Sequence, residues 1–328
     1  MNIKPIFLLS MTLDSGSFKK VWKQCASKKD GLETKDGQYY DLSLNEKGLI
    51  FLYRNSQYQK KLSVLVNPAV IKDNLHDTAQ FIRKLDKRLT QYFHAEYCLD
   101  DFTLYGMYLN TNLDVGSSKN AAAYLKVLHR LGKVKGFSPS NREPFDDDSC
   151  FCLNGNSNAI SCSIYNCTRA ILCLQDHQDI SSKQLKKMLD DLDGILQIEI
   201  QLTKPKAIRC YTSAETISGQ ITELSAKSHK IFMDILAKIV PYGDFYKKEK
   251  AIKIIQNRVK NDTMRKKMLS LLGLIPEKKS LLMAQKATNC RHNDEVMRAF
   301  ADIGLSPITI CKRQKEEYLQ NLYNFILE

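Results

Sequence analysis

The sequence predicts an α+β protein in which an antiparallel sheet core, built from two successive units, is followed by an all-α domain. Three observations predict it. The run from Phe102 to Val115 alternates at period two, with Phe102, Leu104, Gly106, Tyr108 and Asn110 on one face, as a strand does. Through Gly116-Ser117-Ser118 it enters a stretch where Ala121, Tyr124, Leu125, Leu128 and Leu131 recur at helical spacing, with a serine placed to cap it and Gly132 to close it. From Ser213 onward the strand pattern disappears and helical periodicity takes over.

Taken in order, residues 1–98 form the first unit. Ile3 to Leu13 reads as a strand, and Ser17 to Cys25 as a short helix with Phe18, Val21, Trp22 and Cys25 on one side. Three strands follow, Gln38 to Ser43, Leu49 to Tyr53 and Lys61 to Val66, separated by the turn residues Asn45 to Gly48 and Asn55 to Gln57. Pro68 ends this meander, and Ala79, Ile82, Leu85, Leu89 and Phe93 trace a helix. The order is β-α-β-β-β-α.

Residues 99–210 form the second unit. After its opening strand and helix, Ser138 to Asp148 is polar and reads as a surface loop. Cys150 to Leu153 and Ala159 to Tyr165 flank Asn154-Gly-Asn-Ser-Asn158, a hairpin signal. Ser182 to Leu192 is helical, and Ile195 to Leu202 alternates cleanly. The resulting β-α-β-β-α-β order is the split βαβ arrangement, with both helices on one face of an antiparallel sheet. Residues 211–328 read as a helical domain, with segments near Glu215 to Val240, Phe245 to Asn261, Thr263 to Leu272, Glu277 to Ala287, Asp294 to Ile303 and Pro307 to Leu327. Gly273, Pro276, Gly304 and Pro307 punctuate them, Ser306-Pro307 as an N-cap and first-turn pair.

A chain of 328 residues with 43% hydrophobic composition can bury a large core, which excludes disorder as the general state. No run of eighteen apolar residues occurs, so a soluble, cytoplasmic protein without a membrane partner is expected. The ten cysteines are scattered and unaccompanied by a signal peptide, which favours reduced thiols. The net charge of +13 is unevenly spread. Residues 204–328 carry 23 Lys and Arg against 13 Asp and Glu, whereas residues 1–203 carry 26 against 23. Clustered cations of this kind favour a polyanionic partner, because neutralising phosphates releases counterions.

Several enzyme classes are excluded by their missing motifs. No Walker loop, Rossmann glycine fingerprint, Gly-x-Ser-x-Gly elbow or zinc-protease helix occurs, and no two histidines stand two apart. Cys150 and Cys152 share a strand face that Cys162 can approach, a set readable either as small core residues or as zinc ligands. Asp146-Asp147-Asp148 is readable either as a solvated turn or as a metal site. Glu199 lies on the polar face of the last strand with Gln197 and Gln201, as an exposed glutamate or as a carboxylate able to hold Mg²⁺ or Mn²⁺ or to move a proton. Tyr165 ends the strand Ile160-Ser-Cys-Ser-Ile-Tyr165. It is an ordinary strand aromatic, or a nucleophile if a metal polarises the phosphate it attacks.

The runs Leu104-Tyr-Gly-Met-Tyr108, Leu131-Gly-Lys-Val-Lys-Gly-Phe-Ser-Pro139, Ser163-Ile-Tyr-Asn166 and Leu196-Gln-Ile-Glu-Ile-Gln-Leu202 resemble the core of rolling-circle replication initiators. The filamentous-phage gene II type and the trans-acting plasmid type are the nearest in pattern, and the likeness covers roughly Phe102 to Arg209. The resemblance implies a DNA partner, at an origin or single-stranded, and nicking of one strand by a tyrosine with a divalent ion, Mg²⁺ or Mn²⁺. By position it makes Tyr165 the nucleophile and Glu199 a metal ligand. Gly106-Met107-Tyr108 stands where the family has Arg-x-Asp, and Cys167 replaces the lysine after the tyrosine. Asp101 and Asp114, at the ends of the strand, are the candidate substitutes for the missing carboxylate. Lys133 and Lys135 in the turn, with Lys247, Lys248, Arg265, Lys266 and Lys267 in the helical domain, are the candidate phosphate contacts. A homodimer is compatible with this picture. The alternative is a binding module without catalysis, using the same fold to recognise DNA or a protein.

Overall fold

Alternating burial along Lys4–Leu13 makes the first strand, β1, with Phe7 and Leu9 fully enclosed. Asp14 then caps α1 (Ser15–Cys25) by accepting from the backbone N–H groups of Gly16 and Ser17 at 2.8 and 3.0 Å. The computed structural model describes residues 3–34, 37–71, 78–141, 149–174, 181–288 and 293–327. Four strands follow α1: β2 (Gly31–Glu33), β3 (Gln38–Asp41), β4 (Leu49–Asn55) and β5 (Lys60–Val66). After them come α2 (Pro68–Ile71), α3 (Thr78–Tyr92) and β6 (Thr103–Asp114).

The chain divides into two compact units. The N-terminal unit comprises Ile3–Asn110 and Gln201–Phe232, and the C-terminal unit comprises Thr111–Ile200 and Met233–Glu328. The N-terminal unit has the strand order β2-β3-β4-β5-β1-β6, paired antiparallel throughout. Its helices bury Phe18 and Val21 of α1 and Phe81, Leu85 and Leu89 of α3. The buried Asp41 carboxylate accepts from the Ser27 and Ser43 N–H groups and from the Tyr92 hydroxyl, at 2.7 to 2.9 Å. Without those donors a carboxylate there would be strongly unfavourable.

The opening strand departs from simple alternation. Leu8 pairs with Gly106 but Leu9 pairs with Leu104, so Tyr105 is the extra residue of a β-bulge. A one-residue insertion flips every later side chain, and the buried set changes from Phe102 and Leu104 to Met107, Leu109, Thr111 and Leu113. Tyr108 and Asn110 therefore do not share the face of Phe102 and Leu104. Gly106 sits at the bulge because a Cβ there would stand 2.9 Å from the Leu202 carbonyl oxygen.

In the C-terminal unit, β6 leads into α4 (Ser118–His129), whose first turn is capped by the Ser117 hydroxyl accepting from Asn120 N–H at 3.2 Å. Next come β7 (Phe137–Pro139), β8 (Cys150–Gly155), β9 (Ile160–Asn166), α5 (Cys167–Leu174), α6 (Ser182–Asp191) and β10 (Ile195–Leu202). The strand order is β6-β10-β9-β8-β7, with β7, β8 and β9 paired antiparallel. The hairpin expected at Asn154 to Asn158 joins β8 to β9, with Asn158 left-handed at φ +50°. The alternation expected in β10 is complete, since Leu196, Ile198, Ile200 and Leu202 are all fully buried.

The helical region comprises α7 (Pro205–Arg209), α8 (Ile217–Ile239), α9 (Lys248–Arg258), α10 (Asp262–Lys278), α11 (Leu281–Ala287), α12 (Asn293–Asp302) and α13 (Leu322–Leu327). Three expectations change here. Phe245–Tyr246 (β11) pairs with Tyr318–Leu319 (β12), so the region also holds a two-stranded ribbon. Pro307 to Leu327 is not one helix. Leu305 to Ile310 is buried at six consecutive positions and bends at Pro307 and Ile308 between two isolated bridges to Asp244 and Lys247, an arrangement that encloses all six where a surface helix would expose some. Finally, α10 continues through Gly273 and Pro276, because Met268, Leu271, Leu272 and Ile275 hold its buried face across the proline.

The helical region joins the α4–β7 connection at Gly132. Leu281 N–H donates to the Leu131 carbonyl at 2.8 Å, and Leu282 N–H and the Ser280 hydroxyl both donate to the Lys133 carbonyl at 2.9 Å. Gly132 itself has φ +51°, and a Cβ would lie 2.2 Å from the Lys279 carbonyl oxygen. Gly136, in the same turn at φ +85°, faces open space. Chemical denaturation should accordingly separate the two: Gly136→Ala is expected to lose about 1–2 kcal/mol from backbone conformation alone, and Gly132→Ala roughly 3 kcal/mol or more, because the backbone must also move apart. Equal losses would show that the close approach at Gly132 is not made.

Candidate nucleic-acid interface

Tyr165 is the penultimate residue of β9, opposite Cys150, and is 8% exposed. It packs in a small cluster with Cys150, Cys152 and Cys167, against Ala170, Leu192 and Ile195. A phenol enclosed this way is positioned as a core aromatic. Glu199 stands half-buried on β10, the strand next to β9, and its charge acts on Cys162. The surroundings keep the Cys162 and Cys167 thiols protonated. Burial, reinforced by the neighbouring Cys152, Cys150 and Glu199, raises Cys162, and burial pushes Cys167 up to about 11.

The other two metal candidates have local structural roles. Asp101 accepts from Cys98 N–H at 2.7 Å and closes a single helical turn. Asp114 is exposed and accepts from Gly116 N–H at 2.8 Å in the turn ahead of α4. Among the described residues, no group of three or more His, Cys, Asp or Glu is placed to hold a metal ion. Asp146, Asp147 and Asp148 lie outside the described residues.

The candidate phosphate contacts are dispersed. Lys133 and Lys135 are exposed on the Gly132 turn. Lys247 is engaged with Glu317 at 2.6 Å, and Arg265 is paired with Asp262. Lys266 is exposed and Lys267 half-buried on α10, while Lys248 begins α9.

Lys248 leads to residues that the sequence did not single out. With Arg130, Lys279 and Lys312 it lines a cavity of about 590 Å³. A second cavity of about 590 Å³ shares Arg130 and Cys311 with the first and adds Lys119, Lys126, Arg313 and Lys315. Among the described residues the linings together present eight Lys and Arg against two carboxylates, Glu249 and Glu316, so the surface is strongly cationic. One wall is α4. The other is the segment Thr309 to Glu316, fastened to α4 by Gln314, whose side-chain amide donates to the Ala123 carbonyl at 3.3 Å, and by Arg130, which donates to the Thr309 hydroxyl at 3.5 Å. No sequence signal marks this furrow, because its cations come from separate stretches with no common spacing.

No family model and no curated protein sequence matches the chain. Among solved structures, a rolling-circle replication initiator protein from Geobacillus stearothermophilus is 13% identical, over 95% of this chain and all of that one, with a TM-score of 0.29. No helix among the described residues is long and apolar enough to cross a membrane.

The burial of the thiols gives a direct check. At pH 8 a thiol reagent should modify exposed Cys210 rapidly and Cys162 and Cys167 only slowly, with the Cys167 rate rising as pH approaches 11 and its thiolate forms. Rapid modification of Cys167 in the native protein would show that the cluster around Tyr165 is open.

Proposed function

We propose that this chain is a DNA-binding protein of the replication-initiator type, gripping the phosphate backbone through its basic C-terminal third. The observation that carries the reading is the charge distribution, 23 Lys and Arg against 13 Asp and Glu in residues 204–328. Neutralised phosphates release counterions, so such a surface gains affinity from any DNA backbone it can follow. The resemblance of Leu104 to Tyr108, Leu131 to Pro139, Ser163 to Asn166 and Leu196 to Leu202 to initiator motifs supports the particular type.

Of the two modes open to such a protein, binding without strand cleavage is favoured by Tyr165. Its phenol is 8% exposed, whereas a nucleophile must reach a phosphorus in line with the leaving oxygen. Gly106 adds to this reading. The position where an initiator motif carries arginine has no room for a side chain beside the Leu202 carbonyl. The nicking mode would use Tyr165 as nucleophile and Glu199 as an ion ligand.

The two modes separate in one experiment on supercoiled plasmid and labelled oligonucleotides, with and without Mg²⁺ or Mn²⁺. Binding that weakens steeply with salt, no covalent adduct, and an unchanged Tyr165→Phe variant are the expected results. An adduct formed by the wild type and lost in Tyr165→Phe would establish nicking instead. Salt-independent binding, or none, would refute the DNA reading itself.

A further inference from the structure

We infer that the furrow between α4 and the Thr309–Glu316 segment is the track for the sugar–phosphate backbone of duplex DNA, with Arg130 at its centre. This inference rests on the DNA-binding reading above and names the surface that performs it.

Three features of the furrow point to a phosphate backbone. The first is charge: Lys119, Lys126 and Arg130 on one wall face Lys312, Arg313 and Lys315 on the other, and the two cavities meet at Arg130 and Cys311. Among the described residues two carboxylates line it, Glu249 and Glu316. Glu316 pairs with Lys119 at 3.7 Å, which leaves the remaining cations in excess. The second is construction. The Tyr124 hydroxyl donates to the Gln320 carbonyl at 2.8 Å, Cys311 N–H donates to the Gln314 side chain at 3.1 Å, and the Gln314 amide reaches Ala123, so both walls are held before any ligand arrives. Side chains fixed on a held backbone lose less freedom on binding.

The third feature is what the lining lacks. Among the described residues, neither cavity is lined by Phe, Tyr or Trp. Single-strand channels stack bases on such rings, and protein interfaces are anchored by them. A cationic furrow whose one aromatic ring is the His129 imidazole, with no Phe, Tyr or Trp platform among the described residues, suits a backbone whose bases stay paired and stacked.

The test uses the full chain with a labelled duplex of about 20 base pairs and the single strand of the same length, measured by fluorescence anisotropy across a salt series. The triple variant Lys126→Gln, Lys312→Gln, Lys315→Gln removes three exposed furrow cations. It should weaken duplex binding at least about tenfold and reduce the salt slope by about 2 to 3, since each lost phosphate contact contributes about 0.9. The matched variant Lys183→Gln, Lys186→Gln, Lys187→Gln removes the same charge from exposed positions on α6, outside the furrow, and should bind nearly as the wild type does. Thermal melting of both variants verifies that neither has unfolded. If the wild type binds duplex but both triples lose affinity equally, or the furrow triple loses none, the furrow is not the track and only this inference falls. Tighter furrow-dependent binding of the single strand would overturn the duplex assignment. A wild type that binds no DNA overturns this inference and the DNA-binding reading together.

Discussion

The contact on which the C-terminal unit depends is the junction at Gly132, where the end of α4 meets the turn between α10 and α11. Three hydrogen bonds are made to the carbonyls of Leu131 and Lys133, each with a net contribution of about 1 kcal/mol. Ser280 serves both sides, donating to Lys133 while its hydroxyl oxygen accepts from Met283 N–H to cap α11. Leu131, Val134, Leu281 and Ala284 are buried around the junction. None of this closes unless residue 132 has no side chain, since the Lys279 carbonyl occupies the place of a Cβ. Lys279 itself adopts a left-handed backbone at φ +50°, where a non-glycine residue is held by its surroundings.

That junction connects fold to function. It fixes the end of α10, with Pro276 and Lys279, against the end of α4, while Gln314 and Arg130 fix the Thr309–Glu316 segment along the same helix. Cations far apart in the chain thereby meet on two walls of one furrow. The excess of positive charge in residues 204–328 is only a tendency until α4 supplies Lys119, Lys126 and Arg130 to face it.

What the residues disclosed beforehand follows from how local each signal was. The β10 alternation, the Asn154 to Asn158 hairpin and the serine cap of α4 depend on neighbours within a few positions, and all appear as expected. The bulge at Tyr105 depends on a partner about a hundred residues away, so a period-two reading carried the wrong face past Gly106. The same holds for β11 and β12, two residues each, whose pairing no local pattern announces. Leu305 to Ile310 is apolar enough for a buried helix, and its bent, bridged path is set by residues 244–247 beside it. At the candidate site, motif position drew attention to Tyr165, whereas its enclosure by Cys150, Cys152 and Cys167 is a property of packing. The furrow was invisible for the corresponding reason, since charge clustering across four stretches is created by the fold.

The most direct measurement of the central claim is photo-crosslinking of the full chain to a duplex carrying photoreactive bases, followed by mass spectrometry of the attached peptides. Crosslinks concentrated in residues 119–130 and 309–316 are the result the account predicts. Crosslinks that fall mainly on α6 or on the N-terminal unit, with those two stretches unmodified, would contradict it.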